Sequence, residues 1–279
     1  MTTPARDAAR GAIIEVGRRL YSRGMVCAAE GNISLRLGPD EIVATASGVH
    51  KGYLTPDQVV VIDRAGAARE PGARPVSSEI AMHLKAYELR PDIGAVVHAH
   101  PPVATSFAVA GVPLAQCVMP EVVVSLGGVP IAPYGTPGTD AVPQGLAALY
   151  PHGNAFLLAN HGAVCLGTDV FAAFDTLEML EHAAQVLLHA RALGAVNVLT
   201  PAHVKALLDQ RRANGVTTPV FPCDVCAHCP EPPTIAVRHA AGEACGRATC
   251  GCATSSEAGD DARLASVLAE VLAEALRRP

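Results

Sequence analysis

Three histidines carry the most chemistry in this chain. His98 and His100 stand two apart in Ala95-Val-Val-His-Ala-His-Pro101, and His161 lies in Leu158-Ala-Asn-His-Gly162. Side chains alternate faces along a β-strand, so residues two apart point the same way. The valines before His98 read as a strand, which places both imidazoles on one face. Pro101-Pro102 ends the ladder, because proline has no backbone donor. Neutral imidazole nitrogens bind a divalent cation at about 2.0–2.1 Å, and three of them with one open position is the set used by catalytic zinc. His161 follows its own apolar run, residues 155–159, and precedes Gly162, a second strand-end histidine. A lone histidine at a strand end is ordinary; a His-x-His pair with a distant strand-end partner points to a metal.

The elements that must position these groups follow from local patterning. Residues 7–24 form an amphipathic helix, with Ile13, Ile14, Val16 and Leu20 on one side and Gly24 at its C-terminal end. Residues 29–34 turn into an edge-like strand, and residues 41–45 return as its hairpin mate around Gly38-Pro39-Asp40. Thr45-Ala-Ser-Gly48 ends that strand, and residues 59–63 form another. A helix opens at Pro75-Val-Ser-Ser-Glu79 and runs to about Leu89. Ser77 or Ser78 is its expected N-cap, and Glu79 lies in a first turn where the helix dipole favours a carboxylate. A strand over 93–98 precedes a helix beginning near Pro102. A short strand over 129–133, a helix over 139–149, and hairpin strands over 156–159 and 163–166 come next. A long helix spans residues 171–193, where Glu181, His182 and His189 belong to a surface or packing face. Short strands with interspersed helices predict an α/β domain with a mainly antiparallel sheet, ending near Gly215.

Composition narrows the function. A net charge of −5 with scattered basic residues leaves no footprint for nucleic acid. No apolar run reaches the roughly 20 residues of a membrane span, and the N-terminus lacks a secretory apolar core, so a cytoplasmic protein is expected. Half of the residues are hydrophobic but tryptophan is absent, so aliphatic side chains must fill the core.

With these motifs assembled, residues 7–205 resemble the class II aldolase/adducin family and, within it, fuculose-1-phosphate aldolase-like enzymes. The resemblance rests on Gly31-Asn32-Ile-Ser34, Thr45-Ala-Ser47-Gly48, Ser77-Ser78-Glu79, His98-Ala-His100-Pro101, Ala132-Pro-Tyr134 through Gly138-Thr139, and Asn160-His161-Gly162. It implies a three-layer α/β fold with helices on both faces of the sheet. It also implies zinc on His98, His100 and His161, with Glu79 as a fourth ligand at rest and the acid/base in turnover. Gly31, Asn32, Ser47, Gly48, Ser77 and Ser78 would bind a substrate phosphate, for which small residues and a helix N-terminus are suited. The implied reaction is reversible cleavage of a ketose 1-phosphate to dihydroxyacetone phosphate and an aldehyde by a homotetramer. A sugar-phosphate 4-epimerase, a dehydratase and a non-catalytic adducin-like module are the alternatives. The family's epimerases carry aspartate at the position of Glu79, and a scaffold has no need of an open metal site. One departure stands out: the family's aldolases carry a tyrosine where Met119 falls in Gln116-Cys-Val-Met-Pro-Glu121. Glu121 either takes an analogous role or starts a helix, and an apolar methionine suits a small or deoxygenated aldehyde, as from a fuculose 1-phosphate or 5-deoxyribulose 1-phosphate substrate.

The C-terminal region differs in kind. Residues 216–259 are cysteine-rich and then a Ser/Gly-rich linker, with Cys223, Cys226, Cys229, Cys245, Cys250 and Cys252. This spacing suits part of an iron–sulfur run, a structural zinc site, or a thiol-rich linker. Residues 261–278 form an amphipathic helix beyond the linker, suited to a partner's groove or to its own oligomer. It resembles the encapsulation peptides that tether enzymes to bacterial microcompartment shells.

Overall fold

The computed structural model describes residues 3–220; the cysteine cluster, linker and terminal helix expected beyond them lie outside the described residues. Helix α1 (Thr3–Ser22) buries Ala9, Ile13, Val16 and Leu20, a stripe at helical spacing. Gly24, at φ +67, takes the left-handed turn after it. Strands β1 (Asn32–Gly38) and β2 (Glu41–Thr45) form the expected hairpin, and β3 (Val59–Ile62) adds to β2. Then come α2 (Ile80–Leu89), β4 (Ala95–Ala99), α3 (Pro102–Ala110), α4 (Pro120–Ser125), β5 (Ile131–Ala132) and α5 (Ala141–Ala147). The chain continues through β6 (Ala155–Leu158), β7 (Gly162–Gly167), α6 (Val170–Ala192) and α7 (Pro201–Ala213).

The seven strands make one sheet in the order β3-β2-β1-β4-β7-β6-β5, antiparallel at every junction except β5 with β6. Helices α1 and α6 pack on one face and α2 on the other, where it contacts β1 and α5. The core between them is aliphatic: Ile33, Val43, Val61, Val96, Val97, Val164 and Leu166 are buried in the strands, and Leu177, Leu180 and Leu187 in α6. The fold is the three-layer α/β arrangement that the sequence implies.

Three expectations change. β1 is not an edge strand; it lies between β2 and β4. Its second neighbour comes from residues some sixty positions on, in the register Asn32↔His98 through Leu35↔Ala95, which no local pattern encodes. Helix α2 begins at Ile80, with Glu79 rather than Ser77 or Ser78 at the cap position. Val76 is bridged to Ala46 and the Ser77 N–H donates to the Thr45 carbonyl, so this segment stays extended along β2 and the helix starts late. Finally, α7 has no counterpart among the expected helices. It packs Val204, Leu207 and Leu208 against Cys117 and Val123, tying residues 201–213 to α4.

Candidate active site

The site forms where β1 begins and β4 ends. His98 is the fourth residue of β4, while His100 lies just past the strand and is anchored by its N–H to the Met25 carbonyl. His161 occupies the tight turn between β6 and β7; Asn160, at φ 57, takes the left-handed position, and the His161 N–H bonds the Leu158 carbonyl. The pairing of β4 with β7 brings that turn beside the end of β4. One ring nitrogen from each of the three imidazoles lies within 4.8 Å of the other two. His98 Nε2 and His100 Nε2 are 3.2 Å apart.

Two glycines make the approach possible. A Cβ on Gly162 would stand 2.6 Å from the His100 ring and 2.6 Å from the Ala99 carbonyl. A Cβ on Gly31 would stand 2.7 Å from the His98 carbonyl, and the φ of +72 there is itself unsuited to a larger residue.

Glu79 reaches the cluster from the start of α2. Its Oε1 is 3.3 Å from His161 Nε2 and its Oε2 is 3.5 Å from His98 Nε2. The Asn32 side-chain amide donates to Oε2 at 3.0 Å, and Oε1 is buried without a hydrogen-bond partner. Burial raises the Glu79 pKa; His100, the Asn32 bond and Lys51 oppose that rise. Burial lowers the pKa of all three histidines, most for the fully enclosed His98, so the rings are neutral at pH 7.

Outer contacts orient the rings. His98 Nδ1 faces the Ala163 carbonyl at 2.9 Å, which places its proton there and leaves Nε2 as a lone-pair donor. His100 Nδ1 faces the Glu30 carboxylate at 3.4 Å, again turning Nε2 inward. Three neutral nitrogens, each aimed at one point beside a carboxylate oxygen with no other partner, fit a divalent cation of the zinc type.

Gly31, Asn32, Ser47, Gly48, Ser77 and Ser78 lie on three adjacent segments next to Glu79. The Ser47 N–H donates to the Pro75 carbonyl and the Thr45 hydroxyl accepts from the Ile33 N–H, so the segments are stitched together. Ser47, Gly48 and Ser78 are exposed, and no atom lies within 4 Å of the position a Gly48 Cβ would take.

Lys51 escapes the sequence reading. It is 2 % exposed, and its Nζ donates to the carbonyls of Ala29 and Val49, beneath the 31 and 47–48 segments. Burial pulls its pKa down to about 8, against the pull of Glu79. Its position after a turn motif reads as an ordinary surface lysine, so nothing in the sequence singles it out. Glu121, considered as a stand-in for the missing tyrosine, is exposed in the first turn of α4. Glu181 and its neighbours on α6 hold no place in the site: His182 and His189 are exposed, and Glu181 accepts from the Val103 and Ala104 N–H groups at the start of α3.

Residues 11–188 match the Class II Aldolase and Adducin N-terminal domain. A 3-oxo-tetronate 4-phosphate decarboxylase of Pectobacterium atrosepticum is 33% identical over 183 residues, covering 64% of this chain and 83% of the relative. A methylthioribulose-1-phosphate dehydratase of Pseudomonas syringae pv. syringae is 49% identical over 88 residues, covering 32% of this chain and 43% of the relative. Among solved structures, L-fuculose-1-phosphate aldolase from Thermus thermophilus is 30% identical, with a TM-score of 0.61 over 70% of this chain and 100% of that one. Domain match, relatives and fold agree, and the chain belongs to the class II aldolase/adducin family.

Proposed function

We propose that the protein is a zinc-dependent aldolase that reversibly cleaves a deoxyketose 1-phosphate into dihydroxyacetone phosphate and a small aldehyde. The observation that carries the reading is the placement of Glu79, half-buried between His98 and His161 with one oxygen held by Asn32 and the other without a hydrogen-bond partner. His98, His100 and His161 would hold the ion, and Glu79 completes the set at rest. When bound, zinc supplies a Lewis acid that polarises the ketose carbonyl and stabilises the charge developing on its oxygen.

The chain's own groups do the remainder. In condensation Glu79 removes the proton from the hydroxymethyl carbon of dihydroxyacetone phosphate, and solvent protonates the alkoxide formed from the aldehyde oxygen; in cleavage that hydroxyl gives its proton to solvent as the carbon–carbon bond breaks, and Glu79 returns a proton to the carbon left behind. Its raised pKa suits a group that must carry that proton near neutral pH. The three small-residue segments offer backbone N–H groups and hydroxyls to the phosphate, and the buried Lys51 cation beneath them favours an anion there. Two relatives, methylthioribulose-1-phosphate dehydratase and L-fuculose-1-phosphate aldolase, are named for ketose 1-phosphates, which supports this substrate class.

The match to the dehydratase favours a second reading, in which Glu79 removes a proton beside the carbonyl and a hydroxyl leaves instead of an aldehyde. The test is a screen of zinc-loaded protein on the 1-phosphates of deoxyribulose, fuculose, rhamnulose, ribulose and methylthioribulose, with products identified by NMR. Dihydroxyacetone phosphate with an equimolar aldehyde is expected. A dehydrated sugar phosphate without it moves the assignment to the dehydratase, and inertness on every ketose 1-phosphate overturns both. The division at residue 215, a homotetramer, a second metal on Cys223, Cys226, Cys229 and Cys245, and shell tethering by residues 260–279 inside a microcompartment are further proposals. Light scattering, metal analysis of a cysteine-free variant, and shell-protein capture with and without the tail test them.

A further inference from the structure

A buried polar chain runs behind Glu79. On α2, His83 is one helical turn after Glu79; on β1, Ser34 is two residues after Asn32 and so on the same face. Glu79 therefore stands over Asn32, with a bond of 3.0 Å, and His83 over Ser34, with His83 Nδ1 2.7 Å from Ser34 Oγ. Ser34 Oγ is also 2.8 Å from the Tyr87 hydroxyl. Counting donors fixes the direction. If Ser34 donated to Tyr87, the tyrosine proton would be buried without an acceptor. The satisfied arrangement has Tyr87 donating to Ser34 and Ser34 donating to His83 Nδ1. Burial holds the His83 pKa down to about 3, so the ring is neutral and its single proton is on Nε2.

His83 Nε2 and the Asn32 carbonyl oxygen Oδ1 are both buried without partners, and both belong to these two adjacent rungs. We propose that His83 is a positioning residue for Glu79: its Nε2–H, through one buried water, holds Asn32 Oδ1 and so locks the Asn32 amide with its NH2 toward the Glu79 carboxylate. Without that lock the Asn32 amide is free to flip, and a flipped amide presents an oxygen to the carboxylate and repels it. The chain Tyr87–Ser34–His83–water–Asn32 thus fixes which carboxylate oxygen is engaged and which is left for the metal and the substrate. The inference rests on Glu79 working beside the metal, as in the proposed function.

The test reads the metal-free, 15N-labelled full chain first. Long-range 1H–15N correlation of His83 is expected to show the neutral ring protonated at Nε2. Zinc affinity, measured by chelator competition, is expected to weaken about tenfold in His83→Phe and to be retained in His83→Gln, whose amide N–H can take the donor position. An Nδ1-protonated ring, or zinc binding unaltered in a folded His83→Phe, overturns the proposal. Should His83→Phe fail to fold, the tautomer and the zinc affinity of His83→Gln decide it, and a Gln variant that loses zinc as a deletion would overturns the proposal. Neither measurement requires turnover, so an inert enzyme with the expected tautomer counts against the proposed reaction and not against this chain.

Discussion

The three histidines were legible because a His-x-His pair at period two, joined by a distant strand-end histidine, needs only a strand to face one point, and Glu79 was legible through the Ser77-Ser78-Glu79 motif of the resemblance. Lys51, Glu30 and His83 were not, because each acquires its role from a contact made by a distant segment: Lys51 with Ala29, Glu30 with His100, His83 with Ser34. Glu79→Gln keeps the shape and removes the proton carrier, so kcat is expected to fall about 10²–10⁴-fold with the fold unchanged, read by steady-state kinetics beside circular dichroism. His98→Ala deletes the most enclosed of the three nitrogens, and stoichiometric zinc is expected to be lost on desalting, read by elemental analysis.

Among the elements, the hairpin β1–β2, the strands β4, β6 and β7, and the helices α1, α3 and α6 follow local periodicity and turn chemistry closely. The interior place of β1 does not, since it depends on pairing with β4 across intervening α2. Short α4 starts at a proline and spans six residues, too few for a periodic stripe. Glu181 shows how elements are tied: one carboxylate on α6 accepts from two N–H groups at the first turn of α3, directly after His100-Pro101. Glu181→Ala leaves both donors buried or half-buried without an acceptor and is expected to cost about 1–3 kcal/mol, read as a fall in denaturation midpoint. Gly162→Ala is expected to displace the His100 ring and weaken zinc binding, while Gly11→Ala, with nothing within 4 Å of its Cβ position, leaves zinc binding intact.

For the whole molecule, stability is linked to pH through imidazoles that fold neutral. His83 has a pKa of about 3 in the fold against an ordinary value of 6.5, so between these values the unfolded chain binds a proton that the folded chain refuses. Stability is therefore full above about pH 6.5 and falls as pH drops toward 3, by up to ~1.4 kcal/mol per unit for this group. Urea midpoints at about pH 7.5 and pH 5 are expected to differ in that sense, and less so in His83→Gln. The sheet's two ends have a consequence for behaviour in crowded solution. At one end β3 is already paired along its outer side, since the Asp63 N–H donates to the Ala67 carbonyl, the Arg69 N–H donates to the Val61 carbonyl, and Ala68 bridges Ile62. At the other, β5 is two residues long. Among the described residues, neither rim of the sheet offers the long, unpaired ribbon on which a neighbouring chain could grow by strand addition.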